Sequence, residues 1–231
     1  MCIRDRPEYK PDPNIPWWRR GGSTVPTTAQ GMNNFKWDLR YPGATSFEGM
    51  IIWSGRPTRG PKAPLGDYQV RFTSGDYTET HPFSIIMNPN LKGITAADLQ
   101  EQFELATQIK DKTALANQTV IDIRKLRTTL NGKLEKGDLK ENQVSSLIDK
   151  MTTIEEALYQ VKNQSAQDPL NFPIKLNNRL ASLRRSMENG DARPTDGAYQ
   201  VFEELSAELN KHLNAWKEVK NAISNILSAD K

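Results

Sequence analysis

The chain has 231 residues, of which 36% are apolar and 26% are charged, and its 31 basic and 28 acidic residues give a net charge of +3. This length suits one or two ordinary domains. No run approaches the roughly 18–20 apolar residues of a membrane helix, and the opening MCIRDRPEYK lacks the apolar core of a signal peptide. We therefore expect no membrane insertion. Because the sequence shows no clustered basic face, we also expect no nucleic-acid partner.

Residues 1–30 are predicted to form an arm or loop, because prolines and a Gly-Gly pair break both helix and sheet. The first six residues, MCIRDR, resemble a translated sequencing-adapter artefact and contain the only cysteine, Cys2. We expect them not to belong to the protein. Two roles stay open for Trp17 and Trp18: plugging a groove on this protein or a neighbouring domain, or stacking on a sugar ring.

Residues 31–90 show β patterns. In GMNNFKWDLRYPG, apolar residues alternate with polar ones, which predicts a strand over Asn34–Arg40. Ser74-Gly75-Asp76 separates two further alternating runs and predicts a hairpin. Four strands are fewer than the roughly seven of an immunoglobulin-like sandwich. We therefore predict an antiparallel β-sandwich that lacks its N-terminal strands. The expected elements are Asn34–Arg40, the short run Met50–Trp53, the connection Gly55–Leu65, and the strands Tyr68–Phe72 and Tyr77–Ile86.

Residues 95–231 show helical periodicity, with apolar side chains three and four positions apart. Thr95 and Asp98 predict a capping box at the start of a first helix that ends near Leu130, with Gly132 just after it. Three more helices follow, and Thr195 or Asp196 caps the last. Short connections favour an antiparallel bundle of three to four helices. The whole chain is thus predicted to be α+β with two domains.

No pattern in the sequence predicts a catalytic, cofactor or metal site. His81 and His212 have no second ligand at metal spacing, and the motifs G-x-S-x-G, G-x-G-x-x-G and the P-loop are absent. Asp38, beside Trp37, is the acid that we would test first. It has two open roles, as the partner of a turn or an arginine and as a general acid. Together with Trp17 and Trp18, it is a candidate contact for a glycan or another domain.

Two blocks of the sequence resemble known bacterial modules. GMNNFKWDLRYPG followed by GPKAPLGDYQVRF resembles an immunoglobulin-like module related to fibronectin type III and flagellar hook-cap domains. Residues 168–210, DPLNFPIKLNNRLASLRRSMENGDARPTDGAYQVFEELSAELN, resemble the helical tail of large glycosyl-hydrolase-like proteins built on a sortilin-type β-propeller. The resemblance covers roughly residues 31–220, with both blocks in the expected order.

The resemblance implies a C-terminal accessory region, because any hydrolase activity of this family would belong to the propeller. Its S-x-D-x-G-x-T-W repeat is absent, so no family catalytic residue can be assigned to this chain. It also implies an upstream β-propeller as partner in the same parent chain, contact with a polysaccharide or protein, and a secreted or periplasmic location. The alternatives are a free-standing binding module and an enzyme active in this chain.

Overall fold

The computed structural model describes residues 30–229, in which two small antiparallel sheets precede four helices. The predicted α+β class and the helical part are confirmed. In chain order, the elements are β1 (Arg40–Pro42), β2 (Arg59–Lys62), β3 (Gly66–Ser74), β4 (Tyr77–Ile85), α1 (Ala96–Lys136), α2 (Glu141–Leu158), a short 3₁₀ turn (Asp168–Leu170), α3 (Leu176–Met187) and α4 (Asp196–Ala229).

Helix α1 begins as predicted. The Thr95 hydroxyl accepts from the Asp98 backbone N–H at 3.2 Å, while the Asp98 carboxylate accepts from the Thr95 backbone N–H at 2.7 Å. The Thr95 hydrogen bonds also hold the pKa of Asp98 below its ordinary value. The predicted end at Leu130 is wrong, because the helix continues through Gly132 to Lys136 and stops at Gly137, whose φ is 76°.

Gly132 offers a direct test of that corrected boundary. A glycine inside a helix loses more backbone freedom on folding than an alanine does, and a Cβ at this position would meet no atom within 4 Å. We therefore expect Gly132→Ala to raise the free energy of unfolding by about 0.5–1 kcal/mol. Urea denaturation followed by circular dichroism measures the change. A loss of stability would contradict a helix that runs through residue 132.

The helices share one core, built from the predicted apolar stripes of α1, α2, α3 and α4. On α4, the partly buried His212 lies on the same stripe as the buried Leu209 and Trp216. Among residues 30–229, no helix combines the length and hydrophobicity needed to cross a membrane. The core includes Leu105, Ile109, Val120, Ile123, Leu130, Val144, Met151, Leu158, Leu176, Leu180, Leu205, Leu209, Trp216, Val219 and Ile223.

The predicted hairpin is confirmed as the pair β3–β4. The strands are joined by the two residues Gly75 and Asp76, and Gly75 has φ 56°, as such a tight turn requires. The register pairs Tyr68 with Phe83 and Phe72 with Glu79.

The predicted strand over Asn34–Arg40 is wrong. Residues 32–38 form no regular structure, and within the predicted range only Arg40 belongs to a strand. Leu39 has φ 56°, in the left-handed region, so an extended chain cannot pass through it. The resulting turn is held by the Trp37 indole N–H, which donates to the Arg40 carbonyl at 2.9 Å.

No immunoglobulin-like sandwich is formed by residues 30–229, because β1–β2 and β3–β4 are two separate sheets. The segment that we call the overlying segment, residues 40–62, contains β1 and β2 and lies against α1 and α3. The run Met50–Trp53 lies within this segment and is not a strand. The predicted connection Gly55–Leu65 begins within the segment and ends three residues after it. The proposed division into an arm (1–30), a sandwich (31–90) and a bundle (95–231) stays a prediction.

Candidate functional site: a buried ion-pair joint

A group of buried charges lies where the overlying segment meets the end of α3. Arg184 and Glu188 are one helical turn apart, so their side chains lie on the same face. Their side chains are only 4% and 5% exposed, and the Arg40 side chain, which reaches them from β1, is 11% exposed. We call these three side chains the joint.

Glu188 is the centre of the joint, because three donors converge on its carboxylate. The Arg184 guanidinium donates to Oε2. The Arg40 guanidinium lies 3.2 and 3.3 Å from the two carboxylate oxygens, and the Lys62 backbone N–H donates to Oε1 at 3.0 Å. A carboxylate just beyond a helix C-terminus opposes the helix dipole. The two guanidinium groups therefore account for its position.

The joint holds two cations and one anion, and backbone carbonyls offset the remaining positive charge. Arg184 donates to the carbonyl oxygens of Arg56 at 2.9 Å and Arg59 at 2.5 Å, and Arg40 donates to that of Gly60 at 2.7 Å. Burial lowers the pKa of Arg184, and the nearby Glu188 carboxylate opposes this effect. An arginine keeps its charge even so. The two hydrogen bonds from Arg184 attach the overlying segment to α3 at Arg56 and Arg59.

Two glycines allow the backbones at the joint to approach closely. A Cβ on Gly60 would lie 2.0 Å from the Tyr41 carbonyl oxygen. A Cβ on Gly43 would lie 2.2 Å from the Thr58 carbonyl group. Because backbone atoms cannot move aside as a flexible side chain can, β1 and β2 pair in this way only with glycine at these positions.

Polar side chains from the helices bind the middle of the overlying segment. Asn178 accepts from the Trp53 backbone N–H and donates to the Trp53 carbonyl, both at 2.7 Å. Asn117 donates to the Thr45 carbonyl at 2.7 Å, and the Tyr159 hydroxyl accepts from the Ile51 N–H at 3.1 Å. These bonds satisfy backbone groups that no strand partner satisfies.

A second buried carboxylate, Glu155 on α2, joins two helices. Arg124 Nε lies 2.6 Å from Oε1, and Arg127 Nη1 lies 2.7 Å from Oε2, so both oxygens are paired with α1. The Arg124 guanidinium also lies 4.8 Å from the centre of the Phe47 ring, a distance typical of a cation–π contact. The overlying segment is thus fastened near both ends and in the middle.

Comparison with protein-family models, curated proteins and solved structures found no match. The site is therefore interpreted from its own chemistry. Both oxygens of Glu188 and both oxygens of Glu155 are occupied by cationic donors from the same chain. Groups held in this way stabilise a fixed arrangement of segments.

Two surface hollows contain further charged groups. One, of about 460 Å³, lies where α1 ends and α2 begins, and Glu141 and Asp149 contribute to its lining. The other, of about 300 Å³, lies on the overlying segment and includes Arg56 and Arg59. Within residues 30–229, no group of three or more His, Cys, Asp and Glu side chains is placed to hold a metal ion.

The structure describes one of the three predicted contact residues. Asp38 is exposed, accepts from the Arg40 backbone N–H at 3.2 Å and lies 3.7 Å from Arg59 Nε. This is the geometry of the turn-and-arginine role. Trp17 and Trp18 lie outside the described residues, and a glycan or interdomain contact through any of the three stays a prediction.

Sequence reasoning missed the joint. The spacing of Arg184 and Glu188 in RRSMENG is visible, but the same spacing is common on solvated helix faces. Arg184 and Glu188 directly follow Leu183 and Met187 in the sequence, which are part of the apolar stripe of α3 with Leu176 and Leu180. This position next to the stripe could have indicated that the two charged side chains are buried. The long-range partner Arg40, 148 positions before Glu188, follows from no local pattern.

Proposed function

We propose that this chain is a non-catalytic scaffold, the C-terminal accessory region of a bacterial glycosyl-hydrolase-like protein with a sortilin-type β-propeller. Its partner in this proposal is the propeller of the same parent chain, and the parent is secreted or periplasmic. The resemblance of residues 31–220, with its two blocks in the family's order, supports the assignment. Any glycoside hydrolase activity would belong to the parent's propeller.

The joint is the observation that carries the scaffold role. Burying two arginines and a glutamate is costly unless every group is paired, and here each has a partner across the contact between the overlying segment and α3. Such an arrangement fixes one orientation of the overlying segment on the bundle. A fixed orientation is what a spacer between domains requires.

The immunoglobulin-like fold belongs to the same proposal. Hairpin β3–β4 carries Tyr68, Val70 and Phe72 on one face and Gln69 and Arg71 on the other. A sheet of a sandwich has this pattern, with one face toward the core and one toward solvent. We infer that the hairpin needs a further layer to become such a sandwich.

A free-standing binding module is the second candidate. The observation that favours it is the exposure of Val70, Phe72 and Tyr77, which are 53%, 58% and 57% accessible. Clustered apolar residues on a surface mark contact sites. In this case the hairpin, the bundle, or Trp17, Trp18 and Asp38 would contact a protein or glycan.

A glycan panel separates the two non-catalytic functions from an enzyme. The intact chain is incubated with soluble polysaccharides, and binding is measured on a glycan array while released reducing ends are counted. We expect no release from a scaffold. Binding without release would add a glycan contact to the scaffold, as the resemblance implies, and would also fit the module. Release that is abolished in Asp38→Asn and kept in the matched control Asp76→Asn, which changes an exposed turn acid, would contradict the proposal in favour of an enzyme.

A further inference from the structure

Hairpin β3–β4 stands apart from the helices. Among the described strands and helices, the backbones of β3 and β4 approach only each other, and within residues 30–229 they form a sheet of two strands. Every residue of β3 except Tyr68 is exposed. A two-stranded sheet is marginally stable in water, whereas a sheet of three or more strands is usually stable. A further strand beside the hairpin would therefore stabilise it.

The two outer edges of the hairpin differ in their ability to accept another strand. The two-residue turn is closed by the hydrogen-bonded pair Ser74 and Tyr77. From there, hydrogen-bonded pairs alternate with pairs whose N–H and C=O groups point outward, and Gln69 with Pro82 is a pair of the second kind. Because proline has no N–H, the outer edge of β4 lacks a donor at Pro82. The outer edge of β3 keeps all its donors and acceptors, which belong to Asp67, Gln69, Arg71 and Thr73.

We propose that β3 pairs with β3 of a second copy of this chain, so that two hairpins form one four-stranded antiparallel sheet. The register centred on Val70 pairs all nine residues of the strand. It places Gln69 opposite Arg71 of the partner copy, and these are two of the residues whose backbone groups point outward. The hydrogen bonds of an antiparallel ladder can therefore form along the whole contact.

The apolar side chains of β3 are complementary to themselves in this register. Tyr68 lies opposite the partner's Phe72, and Val70 lies opposite its own copy. Directly opposed residues share a face, and aromatic cross-strand pairs are among the favourable ones. Val70 and Phe72, which are 53% and 58% exposed, would lose much of that exposure in the contact.

The charges of β3 also favour this register. Asp67 lies diagonally across from the partner's Arg71, a separation that long side chains can bridge. The register centred on Arg71 would instead place two arginines directly opposite each other, which is unfavourable. The register centred on Gln69 would leave Thr73 and Ser74 without partners. Charge and length together select the register centred on Val70.

The pairing is closed. Both copies contribute the same strand, as in a two-fold symmetric interface. The outer strands of the four-stranded sheet are then two copies of β4, each interrupted by Pro82. A proline on an edge strand hinders the addition of further strands. The proposal therefore predicts a dimer and no larger fibre.

Analytical ultracentrifugation of the intact 231-residue chain tests the proposal. We expect a concentration-dependent dimer whose dissociation constant rises at least about tenfold in Arg71→Pro, which removes an outward N–H from β3. Thr80→Pro is the matched control. Thr80 lies opposite Arg71 in the hairpin, so the same substitution there removes an outward N–H from β4 only, and we expect a change of less than about twofold. Circular dichroism shows whether both variants keep their helices.

Two results of this experiment would overturn the proposal. One is a chain that stays monomeric up to about 1 mM, which would leave the edge of β3 to a different strand. The other is a dimer that Arg71→Pro and Thr80→Pro affect equally, which would place the interface elsewhere.

Cysteine cross-linking tests the register without a proline. In a Cys2→Ser background, Val70→Cys would place two thiols opposite each other across the dimer axis, where directly opposed Cβ atoms are about 4.5–5.5 Å apart. Oxidised glutathione should convert them to a disulfide, and electrophoresis without reductant should show a covalent dimer. His81→Cys is the matched control, since His81 lies opposite Val70 on the same face but belongs to β4. Failure of Val70→Cys to cross-link, or equal cross-linking of both variants, would contradict the pairing of β3 with its own copy.

Discussion

Glu188→Ala is expected to lower the free energy of unfolding by about 3–5 kcal/mol, because removing one partner of a buried ion pair leaves the others buried without it. Arg184 and Arg40 would both lose their carboxylate, and the Lys62 backbone N–H would lose its acceptor. Urea denaturation followed by circular dichroism measures the effect. The matched control is Glu203→Ala on the exposed side of α4, which we expect to change stability by less than about 0.5 kcal/mol.

A double-mutant cycle identifies the origin of that loss. Arg184→Met should cost less in the Glu188→Ala background than in the unaltered chain, with a coupling free energy of about 1–3 kcal/mol. If Glu188→Ala lost no more stability than Glu203→Ala, the joint would not fasten the segment. Additive effects of the two substitutions would show that Arg184 and Glu188 act separately.

Gly60→Ala is expected to lower the free energy of unfolding by about 1–3 kcal/mol, the usual cost of forcing extra atoms into a packed region. The new Cβ would meet the carbonyl oxygens of Tyr41 and Pro42, which lie 2.0 and 2.4 Å from its position. The Gly60 carbonyl itself accepts hydrogen bonds from Arg40 and Arg184. Pairing of β1 with β2 and the joint should therefore weaken together.

Gly190→Ala is the matched control, because a Cβ at Gly190 would meet no atom within 4 Å. The stability measured by urea denaturation and the protection of the Lys62 amide against hydrogen exchange should both fall in Gly60→Ala, and neither should fall in Gly190→Ala. If Gly60→Ala kept the stability of the unaltered chain, the close approach of β1 and β2 would be contradicted.

The helices were predictable because their signals are local. The capping box at Thr95 and Asp98 and the stripe through Val144, Met151 and Leu158 depend on residues only three or four positions apart. The hairpin turn at Gly75 is equally local. The predicted C-terminus of α1 was wrong because Gly132 resembles a helix-ending glycine. The helix ends instead in a Schellman motif at Gly137.

The joint and the overlying segment were not predictable, because they depend on distant partners. Asn34–Arg40 alternates like a strand, and nothing in its composition reveals the positive φ of Leu39 or the bond from Trp37 to Arg40. Likewise, the segment's backbone groups are satisfied by Asn117 and Asn178, far along the chain. Local alternation predicts an extended chain, but the partners decide whether it becomes a strand.

The central claim is that the overlying segment and the bundle form one rigid unit held by the joint. Nitroxide labels at Glu48→Cys and Lys217→Cys, in a Cys2→Ser background, report the distance between the segment and α4 by pulsed electron paramagnetic resonance. Both positions are exposed, so the labels avoid the core. The account predicts a single narrow distance distribution that broadens when Glu188→Ala is added. A broad distribution in the chain with Glu188 intact would contradict it.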